Sequence, residues 1–450
     1  MNSLTQYIDL YRQAGAQIES GSPSALNRRR AHALQVLEGS HLAEKGSAGY
    51  ENTSLNDMYA PDYGVNVGRV EWPRELIKAF RCDVPNLSTL QGYLLCDTFV
   101  GGSALETRLP AGVTFTSLAD YARRNPEFVE KYYGRLAPVD DPAVALNTLL
   151  CMDGAVIHVQ AGVELDRPLQ IVSILGASTG QILAPRRLLV VMERGSRAQV
   201  MLCDHTLAGS PVSMSAMVAE IFMGEDASLQ LLDMEESQAE SRRHAMVYAS
   251  QSRGSELRLH SMTLSCGTTR NDYCVSLDDT GCTTMLSGMV IGSDRRHADN
   301  RTVVRHMHPR CHSTQLFKYV LDDVSTGAFD GSIYVAEGAH GTEAYQNCRN
   351  LLASKGARMH SRPQLEIYND DVKCSHGAAT GQLDEEALFY MRTRGIPLAE
   401  ARMMLMQAFM TDVIDTVNIE GVRDRLRHLV ERRFAGATAA CRECSRKMAE

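Results

Sequence analysis

The sequence predicts a mainly β protein, with a parallel β-helix core between helical N-terminal and C-terminal domains. Apolar spacing is helical up to about residue 145, changes to short strands through about 367, and turns helical again after Gly377. Gly162, Gly195, Gly224, Gly254 and Gly281 stand 27 to 33 residues apart, each followed within a few residues by an apolar strand. No long helical pattern interrupts these strands, which disfavours the βαβ alternation of a doubly wound sheet. Spacing of this size without helices suits a solenoid whose coils each give two or three strands to a stacked core. An antiparallel sandwich or barrel is the alternative that the same strand grammar permits.

In the N-terminal domain, residues 1–145, Leu4, Tyr7, Ile8 and Tyr11 fall at i, i+3, i+4 and i+7, the stripe that an amphipathic helix buries. A second helix is expected from Ala25 to Leu37, with Ser22 or Ser24 as N-cap. The Gly-, Asn- and Tyr-rich stretch from Gly46 to Gly68 reads as a long irregular connection. Helix returns from Leu118 to Tyr133, where Thr116 or Ser117 can cap. In the core, residues 146–378, strands are expected at Ala155–Val159, Leu169–Val172, Leu188–Met192, Leu229–Leu232, Leu257–Leu259 and Ser332–Val335.

The C-terminal domain, residues 379–435, starts with a helix from Leu383 to Thr393 whose first turn carries Asp384, Glu385 and Glu386, complementing the helix dipole. Gly395 and Pro397 end it. Leu398, Ala401, Leu405, Ala408 and Val413 mark a second helix, and Val422, Leu426, Leu429 and Val430 a third. Met403, Met404, Met406 and Met410 sit on the middle helix, either as core filler or as an adaptable surface for a partner. Residues 436–450 form a polar tail.

The 450 residues are 44% apolar and 22% charged, ordinary for a soluble globular chain and too apolar for general disorder. A net charge of -8 argues against a strongly basic nucleic-acid binder. The 12 Cys are too dilute for a disulfide-stapled scaffold, and no apolar signal segment follows Met1. The thiols are therefore expected to be free and the protein cytoplasmic; the missing export signal disfavours a secreted β-helix enzyme. Leu188–Met192 is about the longest apolar run, far short of a membrane span, so no membrane association is expected.

Motif absences remove further classes. There is no G-x-x-x-x-G-K-[ST], no G-x-G-x-x-G after a strand, no H-E-x-x-H and no G-x-S-x-G, so the chain has no visible means of binding a nucleotide. The densest set of potential ligands is His306, His308 and His312. If His306 and His308 lie on one strand they share a face, and a metal-dependent β-fold enzyme is the rival reading. Cys374 and His376 in Cys374-Ser375-His376-Gly377 also share a strand face; they could be ligands or a nucleophile pair, although a packed Cys is the commoner outcome. Cys441 and Cys444 form a C-x-x-C with no second pair nearby, a weak metal signal.

The run from Pro363 through Asn369-Asp370-Asp371-Val372-Lys373-Cys374-Ser375-His376-Gly377, continuing over Gly381-Gln382-Leu383-Asp384 to Arg392-Thr393-Arg394-Gly395, closely resembles the signature of the SufB/SufD family, on its SufD side. His297-Ala298-Asp299-Asn300, Phe329-Asp330-Gly331 and Thr342-Glu343-Ala344-Tyr345-Gln346 resemble that family in the same order, and the similarity covers about residues 145 to 435. The resemblance implies a right-handed parallel β-helix and a non-catalytic scaffold in a cytosolic iron–sulfur cluster assembly complex. It implies pairing with the paralogue SufB; whether the chain forms a homodimer when SufB is missing is left open. The ABC-type ATPase SufC would dock on the C-terminal helices, and Leu398, Leu405, Phe409 and Val413 are the expected contacts. A transient cluster would lie at the SufB interface, with His376 as the family's implicated ligand and Cys374 and Cys348 as lesser candidates. Cys348 stands where the SufB branch has its functional cysteine, and His340 where the family usually has Gln.

Overall fold

A computed structural model describes residues 2–69, 88–101, 105–176, 180–207 and 212–435. The polar tail with Cys441 and Cys444 lies outside the described residues. The helices are α1 (Leu4–Gly21), α2 (Ser24–Asn27), α3 (Arg30–Glu38), α4 (Leu55–Tyr59), α5 (Leu118–Arg124), α6 (Pro126–Tyr132), α7 (Pro142–Leu150), α8 (Glu385–Thr393), α9 (Leu398–Ile414) and α10 (Glu420–Phe434). The strands are β1 (Gly64–Val65), β2 (Leu90–Leu95), β3 (Thr98–Val100), β4 (Val113–Ser117), β5 (Gly154–Val159), β6 (Leu169–Leu175), β7 (Ile182–Met192), β8 (Arg197–Thr206), β9 (Ser213–Met223), β10 (Ser228–Glu236), β11 (Arg242–Gln251), β12 (Glu256–Ser265), β13 (Thr268–Leu277), β14 (Thr283–Gly292), β15 (His297–His306), β16 (His312–Leu321), β17 (Thr326–Val335), β18 (Thr342–Leu352), β19 (Arg358–Ile367) and β20 (Val372–Gln382).

Odd strands from β5 to β19 stack in one sheet and even strands from β6 to β20 in the other, so each coil gives one strand to each sheet. Pairing within both stacks is parallel, as between β18 and β20 or β17 and β19, and the protein is a parallel β-solenoid rather than an antiparallel sandwich or barrel. Its lumen is filled by buried residues of both sheets, among them Ile157, Val190, Ile221, Ile171, Leu202 and Leu231.

The corner before each even strand explains the glycine period. Gly195, Asp226, Gly254, Gly281, Arg310 and Gly341 all take positive φ, a conformation that L side chains rarely adopt and Asp tolerates better than most. They stand one coil above another, and the backbone N–H of each donates to a carbonyl of the next coil, as in Gly195 to Glu225 and Gly281 to Pro309. Gly224 is not one of them: Asp226 occupies the left-handed position in its coil.

The N-terminal helices cover the outer face of the odd sheet, where Leu4, Tyr7 and Leu146 join one cluster with Met214, Val218 and Met246. The single helix expected from Ala25 to Leu37 is two, α2 and α3, and neither Ser22 nor Ser24 caps through its side chain. The break at Arg28–Arg29 lets Arg30 turn inward, where its guanidinium donates to the carbonyls of Thr148, Leu149 and Cys151 at the end of α7. Ser117 does cap α5, its hydroxyl accepting from the Asp120 N–H. Residue 145 falls inside α7, and β2 and β4, which precede it, pair with the solenoid, so helical and solenoidal parts interlock there. Among the described residues no helix is long and apolar enough to cross a membrane.

The two ends of the stack differ. At the N-terminal end β4 pairs antiparallel with β5, and the antiparallel β2–β3 unit closes the even sheet. At the other end β19 and β20 each pair on one side only. The C-terminal helices leave this end free and pack on the outer face of the even sheet, Ala401, Met406, Met410 and Val413 meeting Met262, Met289 and Val320.

Candidate functional site

Register places the sequence-predicted residues on the last coil. Ala344 pairs with Cys374, Gln346 with His376, Cys348 with Ala378 and Asn350 with Thr380, so the luminal face of β18 is continued by that of β20. Among the described residues nothing stacks beyond β20, and His376 is exposed at the mouth of the lumen. Cys374 is half-buried and packs with Ile333, Val335, Ala344 and Leu365, and burial raises its thiol pKa. Cys348 is fully buried; its Sγ–H donates to Asn350 Oδ1 at 3.3 Å, and burial pushes its pKa up to about 12. Burial thus keeps both thiols protonated at neutral pH in the single chain. The Asn350 carboxamide ties the last coils together, donating to Ser361 Oγ at 3.0 Å, the Ala379 carbonyl at 3.2 Å and Thr380 Oγ1 at 3.1 Å. His340 is a turn residue: its carbonyl accepts from the Arg310 N–H, and its Nδ1 lies 3.1 Å from Asn369 Nδ2.

The rival histidine set does not converge. β15 ends at His306, whose buried ring meets Ser313 Oγ at 2.8 Å and whose pKa burial lowers to about 4. His308 lies past the strand end in the exposed turn leading to Arg310, and so shares no strand face with His306. His312 opens β16 and contacts Thr314 and Glu343. Among the described residues, no group of three or more His, Cys, Asp or Glu is arranged to hold a metal ion.

The expected docking residues also divide. Val413 is fully buried against the solenoid, and Leu405 and Phe409 pack on the same cluster. Phe409 is further fixed by Lys318, whose Nζ lies 4.7 Å from the ring centroid, donates to the Phe409 carbonyl at 2.8 Å and pairs with Asp412 at 2.5 Å. Val413 is therefore withdrawn from any partner surface. Leu398 is 47% exposed and is joined outside by Phe389 at 68%, Tyr390 and Met404. Phe389 and Tyr390 were missed because helical periodicity names the buried stripe, and they stand off it. The methionines split likewise, Met406 and Met410 buried and Met404 outside.

Two family models cover nearly all of this architecture: the SufBD protein N-terminal region matches residues 1–171, and the SufBD core domain of SUF system FeS cluster assembly matches residues 174–409. The chain belongs to the SufB/SufD family of iron–sulfur cluster assembly proteins. It is similar to a SufBD family protein of Synechocystis, 27% identical over 92% of both chains. It also resembles the iron–sulfur cluster assembly protein SufD of Escherichia coli, 34% identical over 39% of this chain and 42% of that one. SufD of Bacillus subtilis is 26% identical over 72% of this chain and 74% of its own length. The core match spans the solenoid from the end of β6 into α9, so the terminal coil, α8 and most of α9 lie in the family region.

Proposed function

We propose that this chain is a non-catalytic, SufD-type scaffold subunit of a cytoplasmic iron–sulfur cluster assembly complex. In this reading its last coil abuts the paralogue SufB, the outer side of α8 and α9 carries the ATPase SufC, and the nascent cluster, as cargo, is built beside His376 where the solenoids meet. One observation carries it: among the described residues the stack ends in two unprotected strand edges, one of which, β20, carries an exposed luminal imidazole. An open edge of this length is a template for pairing with another chain. Ile367 and Tyr368, 39% and 60% exposed on the same coil, add apolar surface that favours being covered.

The chemistry agrees with such a role. Iron–sulfur clusters are held by thiolates with imidazole as a minority ligand, and a scaffold that must release its cargo does better with few ligands at a subunit boundary than with a closed cage. Here the exposed donor is His376, while Cys348 and Cys374 contribute packing. ATP-driven movement of SufC, transmitted through α8 and α9, would shift the boundary between open and closed arrangements. Co-expression with SufB and SufC followed by size-exclusion chromatography tests the assembly: the three subunits should co-elute, and a chain that stays alone beside both overturns the reading.

A further inference from the structure

We infer that Gln346 is the positioning residue for His376: once a second subunit covers the mouth of the lumen, the Gln346 carboxamide oxygen accepts the N–H of one imidazole nitrogen and leaves the other free to meet iron. This deepens the reading above and rests on it for His376 being the ligand. Gln315, Gln346 and His376 are direct register partners on β16, β18 and β20, which puts them in one luminal column. Neighbouring parallel strands lie about 4.8 Å apart, so the carboxamide and the ring are within side-chain reach.

The observation that points beyond packing is an unsatisfied group. Gln346 is 3% exposed, yet among the described residues neither its Nε2 nor its Oε1 has a hydrogen-bond partner. Burying a polar group unpaired is costly, and native chains seldom leave both ends of one amide so. The coil below relieves it of nothing, because Gln315 uses its Oε1 on the Thr302 hydroxyl at 2.6 Å and keeps its own Nε2 unpartnered. The opposite wall is kept clear: a Cβ on Gly331 would run into the Gln346 amide. The coil above offers His376, which in the single chain is turned to solvent.

A metal-binding imidazole commonly donates its second N–H to an oxygen, which fixes the tautomer and the ring plane. A carboxylate in that place would also make the ring more basic and the ligand tighter. A neutral carboxamide fixes the tautomer without adding charge, which suits a site that gives up its cargo.

The test uses the co-expressed complex with ¹⁵N-labelled histidine, read by solid-state NMR, with the His376 signal identified by its loss in His376→Asn. The native complex should show one His376 tautomer. Gln346→Met, of similar length but without the amide, should give a mixture and lower the retained iron about tenfold, the scale of loss for an outer-shell partner. Gln346→Glu, which keeps an oxygen acceptor, should restore the single tautomer. A single native tautomer that survives in Gln346→Met overturns the inference, even if His376→Asn still empties the complex of iron. A tautomer shift in Gln346→Met without any loss of iron in His376→Asn would uphold the positioning and refute the ligand role instead.

Discussion

Removing two exposed apolar side chains from the C-terminal helices should weaken ATPase docking without unfolding anything. Phe389 on α8 is 68% exposed and Leu398 at the start of α9 is 47% exposed. Fully burying such a side chain is worth about 1.5–3 kcal/mol, so covering the remaining two thirds of Phe389 and half of Leu398 returns roughly 2–3 kcal/mol together. The double variant Phe389→Ser with Leu398→Ser should therefore raise Kd for the ATPase subunit roughly 30- to 150-fold. Its melting temperature should barely move, since surface changes usually stay within about 0.5 kcal/mol. The contrasting variant is Val413→Ala, which opens a hole under the same helix and should cost about 2 kcal/mol of stability while leaving the affinity of the folded protein unchanged. Titration calorimetry and thermal melts on both variants decide the matter. If the double variant binds within twofold of the native chain, the exposed edge of α8 and α9 is not the docking surface.

His376→Asn should lower the iron and sulfide that co-purify with the complex while subunit ratios on chromatography stay the same; unchanged iron and sulfide would remove His376 from the site. Cys348, buried and with its thiol pKa pushed up to about 12, should resist a thiol reagent at neutral pH until the protein unfolds, and mass spectrometry of the alkylated native protein should find Cys374 modified first. Glu235 is buried in the lumen, and burial raises its carboxyl pKa to about 7 from an ordinary 4.5 despite nearby Arg243. Because the folded chain holds this proton more tightly, its contribution to stability is complete below about pH 4.5 and is lost as pH rises through about 7. Glu235→Gln, which mimics the protonated form, should thus stabilise the chain by up to a few kcal/mol at pH 8 relative to its effect at pH 5. Denaturant melts giving the same difference from native at both pH values would show that Glu235 is ionised in the fold.

The solenoid was legible because one physical requirement recurs in coil after coil. A corner that needs positive φ selects glycine, and Gly195, Gly254 and Gly281 advertise it. Where Asp226 and Arg310 meet the same need the signal disappears, which is why the sequence pattern points to Gly224 instead of its neighbour Asp226. His306 and His308 were paired by strand alternation, which holds only while the strand continues, and β15 stops at His306 to begin the turn. Val413 was assigned to a partner because periodicity identifies an apolar stripe but not what covers it; here the stripe meets the outer face of the even sheet. β2, β3 and β4 escaped notice because strands of six, three and five residues carry little pattern of their own and are fixed by pairing with the solenoid or with each other. The unsatisfied Gln346 has no sequence signal beyond lying in the family-like stretch, since burial without a partner is a property of the packed coil.

The asymmetry of the two ends is what ties fold to function. In a solenoid each coil is buried by the next, so the terminal coils need capping units with a polar outer face if the chain is to stand alone. The first coil has its cap in the antiparallel β4 and the β2–β3 unit. Among the described residues the last coil has none, and it carries features that a cap would avoid: Ile367 and Tyr368 in solvent, two free strand edges, and a luminal carboxamide with no partner one coil below. Fraying does not account for this, because Asn350 links the final strands through three hydrogen bonds and Tyr368 packs in a tilted arrangement on Tyr334, ring centroids 5.5 Å apart. A terminal coil that is held together yet chemically unfinished is what the proposed pairing needs: on that reading another solenoid meets this surface, with His376 where the two lumens would join.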